Sequence, residues 1–301
     1  MDAEQITVVV VTRDRCARLR QCLARLLALP ERPAVVVVDN GSTDNTAAMV
    51  RLRFPSVELV ALPANRGAVA RNIGVLRART PVVAFADDDS AWEPGALSRA
   101  AALMAAHPRL GLIAARTLVG PQRRLDDVSQ VMAGSPLGRA PDLPGPSVLG
   151  FLACATVVRR DAFLQAGGFD PVVFFMGEEE RVAYDLARRG WGLAYCAEVV
   201  ALHDPGRPPD PARAALAARN KVLTSWMRRP WAVALAETSS FVALAVRSGP
   251  HRRAALSLAR RLPGALIRRL PPAPLVEAQL RALARPPVAA PAFAARAPAA
   301  R

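Results

Sequence analysis

The stretch ITVVVVT, Ile6–Thr12, is an unbroken run of mostly β-branched residues in which polar and apolar positions do not alternate. Such a run is typical of a strand that is buried on both faces of a parallel sheet. Leucines at helical spacing follow in residues 16–29, and AVVVVDNGSTDNT (34–46) repeats the order of apolar strand, turn and helix start. This alternation predicts an α/β fold.

The alternation continues along the next part of the chain. VELVALPANRG (57–67) is predicted as a third strand with a turn, AVARNIGVLRA (68–78) as a helix, and PVVAFADDD (81–89) as a fourth strand. This order indicates a parallel sheet with right-handed crossovers, whose ligands bind beyond the carboxyl ends of the strands. The polar residues that fall at those ends are Thr12, Asp39, Asn65 and the aspartates at 87–89.

The second half is predicted to mix a loop with further helices and strands. Residues 120–147 are rich in Pro, Gly and Arg and are expected to form a loop. A strand and a short helix are expected in 147–170, and a helix that leads into another strand in 174–196.

The C-terminal part begins with the linker DPGRPPDP, residues 204–211. Three helices are expected after it, at 212–228, 231–247 and 251–269. From residue 271 to the end Pro, Ala and Arg dominate, so this tail is expected to be disordered.

The formal net charge of +15 is concentrated at the C-terminus. From residue 211 onward 15 Arg and one Lys face two Glu, a net of +14, so a nucleic-acid-binding face along the whole chain is not expected. Segment 231–246 contains Glu237 and two serines and is shorter than the roughly 20 apolar residues of a membrane span. Two interpretations stay open: the arginine-flanked helices lie on an anionic membrane surface, or they pack on the rest of the protein with a solvated arginine face.

The cysteines and the N-terminus bear on the cellular compartment. The four cysteines form no CxxC pair and no cluster with the three histidines, so neither a zinc site nor a disulfide framework is expected. The N-terminal MDAEQ is acidic, and the apolar run after it is shorter than the core of a signal peptide. A cytoplasmic location is therefore expected.

Residues 81–94, PVVAFADDDSAWEP, end a buried strand in three consecutive aspartates. Adjacent carboxylates repel one another, and their burial is costly unless a cation or hydrogen-bond donors compensate. The residues by themselves allow either a solvated acidic turn or a cation site.

Six segments occur in the order seen in family 2 glycosyltransferases of the GT-A fold, which the chain resembles over roughly residues 5–205. They are TVVVVTRDR, VVVVDNGSTDNT, NRGAVARNIG, FADDDSAWEP, VVRRDAFLQAGGFD and GEEERVAYDLARRGW. The resemblance implies a Rossmann-like, mainly parallel central sheet with flanking helices. It implies a catalytic domain at 1–205, with a nucleotide-sugar-binding half at 1–115 and an acceptor half at 116–205, before a basic helical extension at 206–270.

The aspartate triplet resembles the DxD element of the family. Pro94 lies five residues after Asp89, as in the family pattern D-x-x-x-x-P, so the resemblance implies that Asp89 binds Mn²⁺ or Mg²⁺, with His203 near the metal. A role for Asp39 as a helix cap remains an alternative to ligand binding. The implied donor-binding residues are Thr12, Arg13, Asp39, Asn65, Gly67, Arg71, Asp87 and Asp88.

The acceptor half resembles the family in an acidic pair that opens a helix. The family spacing back from Gly190 implies Glu179 as the general base, with Glu178 beside it. Glu replaces the usual Asp here, and acidic residues in a first helical turn are also favoured by the helix dipole, so a purely structural role stays open. The implied acceptor-binding loop comprises Gly168, Phe169 and Asp170.

The resemblance implies an inverting, metal-dependent transfer of a hexosyl or deoxyhexosyl group from a nucleotide-diphosphate sugar to a hydroxyl acceptor. A lipid-linked, cell-envelope or secondary-metabolite acceptor is expected, and contact between the basic extension and the cytoplasmic face of an anionic membrane stays one of the two interpretations open for the C-terminal helices. Two alternatives are a nucleotidyltransferase, against which the lack of glycine in VVTRDRCARLR counts, and a non-catalytic GT-A-like protein that binds anionic membrane or nucleic acid through its C-terminus.

Overall fold

The computed structural model describes residues 6–206 and 210–284, and expectations for residues 1–5, 207–209 and 285–301 lie outside this range. The strands are β1 (Ile6–Thr12), β2 (Ala34–Asp39), β3 (Glu58–Ala61), β4 (Val82–Asp87), β5 (Ser90–Trp92), β6 (Leu110–Val119), β7 (Arg124–Leu125), β8 (Thr156–Arg159) and β9 (Gly192–His203). The helices are α1 (Cys16–Leu27), α2 (Thr46–Arg53), α3 (Val69–Arg77), α4 (Ala96–Ala106), α5 (Asp127–Ala133), α6 (Arg160–Gln165), α7 (Glu179–Arg188), α8 (Pro211–Arg228), α9 (Trp231–Arg247), α10 (Gly249–Ile267) and α11 (Pro274–Leu283).

In the described part of the chain the strands form one sheet, in the order β3-β2-β1-β4-β8-β6-β9-β5, with β7 paired to β6. β1 runs parallel to β2 and β4, and β2 runs parallel to β3. β8 is antiparallel to both β4 and β6, and β5 is antiparallel to β9. The expected α/β fold is confirmed, and the antiparallel pairs of the second half make its sheet a mixed one.

Parallel pairing aligns the carboxyl ends of the first strands. Thr12 pairs with Asp39, and Val11 pairs with Asp87, so β1, β2 and β4 end side by side. The polar residues at the ends of these strands therefore meet at one edge of the sheet, as the strand-end rule predicts.

The unalternated sequence of β1 follows from burial on both faces of the sheet. Val8 and Val10 pack in one apolar cluster with Leu23 of α1, while Val9 belongs to a second cluster that includes Val75 of α3. Successive side chains of a strand point to opposite faces, so a strand covered by helices on both sides needs apolar residues at every position.

Segment 120–147 contains more secondary structure than expected. β7 pairs with the end of β6, and α5 follows Asp126, whose carboxylate accepts hydrogen bonds from the backbone N–H groups of Val128 and Ser129. Such a carboxylate is a standard helix N-cap. The expectation of a plain loop is wrong for these residues because the Pro and Gly content obscured a short capped helix.

The three helices expected after the linker are present as α8, α9 and α10. The fourth, α11, contradicts the expected disorder from residue 271, at least for Pro274–Leu283. Its Val276 lies in the apolar core, and its buried Glu277 accepts hydrogen bonds from Nε (2.7 Å) and Nη2 (3.1 Å) of Arg229. This helix is ordered by burial and ion pairing rather than by its own composition.

The C-terminal helices pack on the part of the chain that precedes them. Asp185 of α7 is buried and accepts hydrogen bonds from Arg181 of the same helix and from Nε (2.5 Å) and Nη2 (2.9 Å) of Arg228 in α8. Buried ions have lost their hydration, so each needs an opposite charge in good geometry. This network fixes α8 against α7. Within the described residues, no helix combines the length and apolarity needed to cross a membrane.

Candidate active site

A cavity of about 450 Å³ lies at the carboxyl edge of the sheet. It is lined from both halves of the chain, by residues after β1, β2, β3 and β4 and by residues that precede and open α7. The sequence-predicted residues that line it are Thr12, Arg13, Asn65, Gly67, Arg71, Asp87, Asp88, Asp89, Glu178, Glu179 and His203.

The aspartate triplet forms the turn between β4 and β5. Asp88 is buried and accepts hydrogen bonds from Thr12 Oγ1 (2.9 Å) and Arg15 Nη1 (2.8 Å). The same Arg15 nitrogen donates to Asp89 Oδ2 (2.9 Å), and His203 Nε2 lies 3.6 Å from Asp89 Oδ1. The adjacent carboxylates are therefore compensated by cations and donors of the protein itself, which excludes a solvated acidic turn.

The pKa values of Asp88 and Asp89 are shifted in opposite directions. Burial raises the pKa of Asp88, and the hydrogen bonds from Arg15 and Thr12 offset this only in part. Burial also acts on Asp89, but the nearby His203 imidazole and the hydrogen-bonded Arg15 guanidinium outweigh it and hold the pKa of Asp89 below its usual value. Asp89 therefore remains ionised where it faces the cavity.

The donor set suits a hard divalent cation only in part. Asp89 and His203 offer a carboxylate and an imidazole within one small volume, which fits Mn²⁺ better than Mg²⁺. Among the described residues no group of three or more His, Cys, Asp or Glu side chains is arranged to hold a metal. A cation here needs further oxygens, and Mg²⁺ and Mn²⁺ sites in phosphate-transferring enzymes take them from substrate phosphates.

Arg71 connects the aspartate turn to α7. Its side chain is buried, with Nη2 donating to Asp87 Oδ1 (2.6 Å) and Nη1 3.5 Å from Glu178 Oε1. Its Nε and Glu178 Oε2 are buried without a hydrogen-bond partner among the described residues. Buried polar atoms are nearly always paired, so two such atoms at one cavity indicate a site that is completed by a ligand.

Glu178 and Glu179 stand at the start of α7. Burial raises the pKa of Glu178, against the opposing charge of Arg71. Burial, together with the charge of Glu178, raises the pKa of Glu179 to about 8. A carboxyl group with a pKa near neutrality takes up and releases protons at ordinary pH, which is the property required of a general base.

The wall that precedes these glutamates has a strained backbone. Phe174 (φ 70°) and Met176 (φ 73°) adopt the left-handed region that residues other than glycine rarely use. The carbonyl of Phe174 accepts a 2.6 Å hydrogen bond from the N–H of Ala68, and the neighbouring Gly67 (φ 60°) packs against Phe174. Such conformations persist where the surroundings impose them, and they cluster at functional sites.

Comparison with known proteins identifies the family. The model of "Glycosyl transferase family 2" matches residues 7–166, more than half of the chain. The chain belongs to glycosyl transferase family 2. It is 30% identical over 247 residues to the N-acetylglucosaminyl-diphospho-decaprenol L-rhamnosyltransferase of Mycobacterium tuberculosis, a match that covers 68% of this chain and 78% of that protein.

Two further similarities agree with this assignment. The glycosyltransferase is 29% identical over 213 residues to the pre-mycofactocin glycosyltransferase of Mycobacterium tuberculosis, which covers 66% of this chain and 42% of that protein. Its fold is similar to that of the mannosyltransferase PcManGT from Pyrobaculum calidifontis, solved in complex with GDP-Man and Mn²⁺ (TM-score 0.58, 21% identity, 94% of this chain and 82% of that one). The assignment favours a glycosyltransferase over both alternatives raised by the sequence.

Four sequence-predicted residues of this glycosyltransferase do not line the cavity, namely Asp39, Gly168, Phe169 and Asp170. The buried Asp39 accepts a hydrogen bond from the N–H of Ser42 (3.0 Å), so it stabilises the turn after β2. Phe169 is a core residue, and Asp170 accepts from the N–H of Val172 (2.7 Å). Arg13 lines the cavity but pairs with Asp14 (3.4 Å), half-exposed.

Several residues that line the cavity of the glycosyltransferase were not predicted from its sequence. They are Arg15, Asn40, Cys154, Phe174, Phe175, Met176, Gly177 and Arg213. Arg15 follows the end of β1, beside β4, so the strand-end rule that selected Thr12 could also have selected it. Arg213 comes from α8, beyond the segment that the family model matches.

Gly67→Ala tests the close approach of the two cavity walls. At φ 60° any side chain costs roughly 1–2 kcal/mol, and a Cβ here would also clash with the Phe174 backbone. Gly138→Ala is the matched control, because Gly138 has φ 68° but no atom within 4 Å of the added Cβ. We expect Gly67→Ala to lower the melting temperature more than Gly138→Ala does. An equal fall in melting temperature in both variants would mean that the backbone at Phe174 shifts at little cost to make room for the added Cβ.

Proposed function

We propose that this glycosyltransferase moves a sugar from a nucleoside-diphosphate sugar to an acceptor hydroxyl, with a divalent cation and with inversion at the anomeric carbon. The observation that carries the proposal is one cavity with carboxylates from two sources, the turn 87–89 and the start of α7, connected through Arg71. The first group suits a metal and a diphosphate, and the second suits an acceptor proton.

On the donor side, Asp89 and His203 would hold Mn²⁺ or Mg²⁺. The bound cation supplies positive charge that stabilises the departing diphosphate. Arg15 already contacts Asp88 and Asp89, so its remaining guanidinium donors add positive charge beside the same phosphates. The Mn²⁺ and GDP-Man that accompany the similar fold of PcManGT support a nucleotide-sugar site with a metal.

On the acceptor side, Glu179 would act as the general base. The acceptor oxygen forms a bond to the anomeric carbon while the bond from that carbon to the diphosphate oxygen breaks, and its electron pair leaves with the diphosphate. The acceptor proton passes to the Glu179 carboxylate, whose pKa near 8 makes it a better base than an ordinary carboxylate. A single displacement of this kind inverts the anomeric configuration.

A lipid-linked cell-envelope acceptor is the class we propose. The mycobacterial rhamnosyltransferase named above acts, by its name, on N-acetylglucosaminyl-diphospho-decaprenol, and its match covers most of both chains. A hexosyl or deoxyhexosyl group is therefore the proposed transferred sugar.

The surface of the helical extension suits contact with an anionic membrane. Trp231, Leu235, Val242 and Val246 are spaced to lie on one side of α9, and each is largely exposed. Between Glu237 and Glu277 the chain has seven arginines and no acidic residue. Exposed apolar side chains with neighbouring arginines match the interface of an anionic bilayer. We place the enzyme at the cytoplasmic face of such a membrane, where a lipid-linked acceptor is accessible.

Calorimetric titration with UDP, GDP, dTDP and CDP, with and without Mn²⁺, tests the donor site. We expect one nucleotide to bind, and its affinity to fall at least tenfold without Mn²⁺ or in Asp89→Asn, because the cation bridges carboxylate and diphosphate. Asp161→Asn, at an exposed carboxylate of α6, is the control and should bind like the wild type. Metal-independent binding, or none, would contradict the donor site as proposed.

The dependence of the rate on pH tests the base. Glu179 works only when deprotonated, so kcat/KM should rise with pH and level off above about 8. Glu179→Gln should lower kcat by about 10²–10⁴-fold. Glu178→Gln removes the neighbouring charge and should move the rising limb to lower pH. A limb at the same pH in wild type and Glu178→Gln would argue against Glu179 as the titrating group.

Cosedimentation with vesicles tests the membrane surface. Binding should require phosphatidylglycerol in a phosphatidylcholine bilayer and weaken with salt, since arginines provide the attraction. The double variant Leu235→Ser, Val246→Ser should bind at least fivefold more weakly. Leu52→Ser, at an 82% exposed leucine of α2, is the control. If the double variant binds vesicles as tightly as this control does, the exposed side of α9 is not the membrane-binding surface.

A further inference from the structure

Segment 171–176, whose residues 174–176 form a wall of the cavity, is held by the helical extension through its backbone carbonyls. Asn220 Nδ2 donates to the carbonyls of Phe175 (2.7 Å) and Met176 (2.6 Å). Arg219 Nη2 donates to Val173 (3.2 Å). Arg261 of α10 donates to the carbonyls of Pro171 (3.1 Å) and Val172 (2.8 Å), while that of Phe174 is taken by Ala68. All six carbonyls of the segment are thus bonded, five of them to the extension.

The side-chain amide of Asn220 has all its hydrogen-bonding positions occupied. It is fully buried, and its Oδ1 accepts from Nε (2.9 Å) and Nη2 (2.6 Å) of Arg219. The amide thereby uses both donors and both acceptor positions, and the guanidinium fixes which end faces the wall. The orientation of the two donated hydrogen bonds is therefore set by the extension rather than by the wall.

The burial of the Arg219 cation costs free energy. Its guanidinium is buried and bonds Asn220, Ser257 and the Val173 carbonyl, with no carboxylate partner among the described residues, and burial together with the charge of Arg261 lowers its pKa to about 10. A buried cation is normally paired with an acid. Here two arginines face backbone carbonyls of one segment instead, and that segment holds two residues, Phe174 and Met176, with positive φ. The extension bonds the carbonyl of Met176 and those on either side of Phe174, while Ala68 bonds that of Phe174 itself.

We propose that Asn220 is a positioning residue of the active site: its hydrogen bonds to Phe175 and Met176 fix the cavity wall and the start of α7, and thereby the place of the Glu179 carboxylate. Only Gly177 and Glu178 separate Met176 from Glu179. The positioning role rests on the proposed function, because it assumes that Glu179 is the base. The clamp, by which we mean the two hydrogen bonds from Asn220 to the carbonyls of Phe175 and Met176, does not depend on the proposed function. The basic extension is by this account part of the catalytic site and not an appendage.

Asn220→Asp separates positioning from folding. The substitution is isosteric and keeps an oxygen for Arg219, to which it adds an ion pair, but it replaces the two donors with an acceptor that repels the wall carbonyls. Ser225→Ala is the matched control, because it removes a buried hydrogen bond to Glu237 inside the extension and leaves the wall carbonyls bonded. Hydrogen exchange of segment 171–178 (at amides 172–178, since residue 171 is a proline), nucleotide affinity and the pH profile of kcat/KM are measured on the full chain of each.

We expect Asn220→Asp to raise exchange at 171–178 at least tenfold and to lower kcat by about 10–100-fold, as small misplacements of catalytic groups do. Nucleotide affinity should stay within twofold. The rising limb of the pH profile should move to lower pH, because a loosened wall admits water to Glu179 while the introduced charge is paired with Arg219. Ser225→Ala should leave exchange at 171–178, kcat and the limb as in wild type.

Each contrary result has a distinct meaning. Exchange at 171–178 that is unchanged in Asn220→Asp overturns the clamp. Increased exchange with kcat and pH profile unchanged overturns the positioning role, and so does an equal loss of kcat in Ser225→Ala. If the wild type binds no nucleotide and transfers no sugar, the proposed function fails, the positioning role fails with it, and the exchange result alone decides the clamp. An Asn220→Asp variant that does not fold is replaced by Asn220→Ala, judged by the same criteria.

Discussion

Arg71 carries a full positive charge into the interior, and the two halves of the site are arranged around it. The same guanidinium contacts Asp87 on one side and Glu178 on the other, and its central carbon (Cζ) lies 5.6 Å from the centroid of the Phe169 ring. Phe169 packs in turn on Phe85 of β4 and Phe163 of α6, so the cation rests on the aromatic core. Removing a buried cation of this kind would leave the buried Glu178 uncompensated, which costs more than the ion pair contributes.

The helical extension follows a similar rule of compensated burial. Its excess of arginine suggests a solvated or membrane-bound appendix, yet several of these side chains point inward. Arg228 satisfies Asp185, Arg229 satisfies Glu277, and Arg219 with Arg261 holds carbonyls of the cavity wall. The interpretation that the helices pack on the rest of the protein therefore holds for α8 and for one side of α10, while the exposed side of α9 remains available to a membrane.

The strand pattern was enough to predict the sheet edge, because burial on both faces demands unbroken apolar runs and parallel pairing brings their polar ends together. Thr12 and the aspartate triplet were found in this way. Arg15 was not predicted because it lies three residues beyond Thr12, where the strand pattern no longer fixes which way a side chain points. Phe169 and Asp170 were assigned to the acceptor loop, yet Phe169 packs in the core and Asp170 pairs with Arg268, because side-chain direction in 169–177 depends on backbone angles that no residue-type pattern encodes.

The two sides of the cavity need opposite electrostatics within a short distance. The aspartate turn must keep its charge while buried, which requires cations such as Arg15 close by. The proposed base must bind a proton near neutral pH, which a close cation would prevent by lowering its pKa. Glu178 resolves this conflict: it lies nearest to Arg71 and shares its charge, and it raises the pKa of the neighbouring Glu179. Burial and the charge of Glu178 thus act together to raise the pKa of Glu179, against the lowering effect of Arg71.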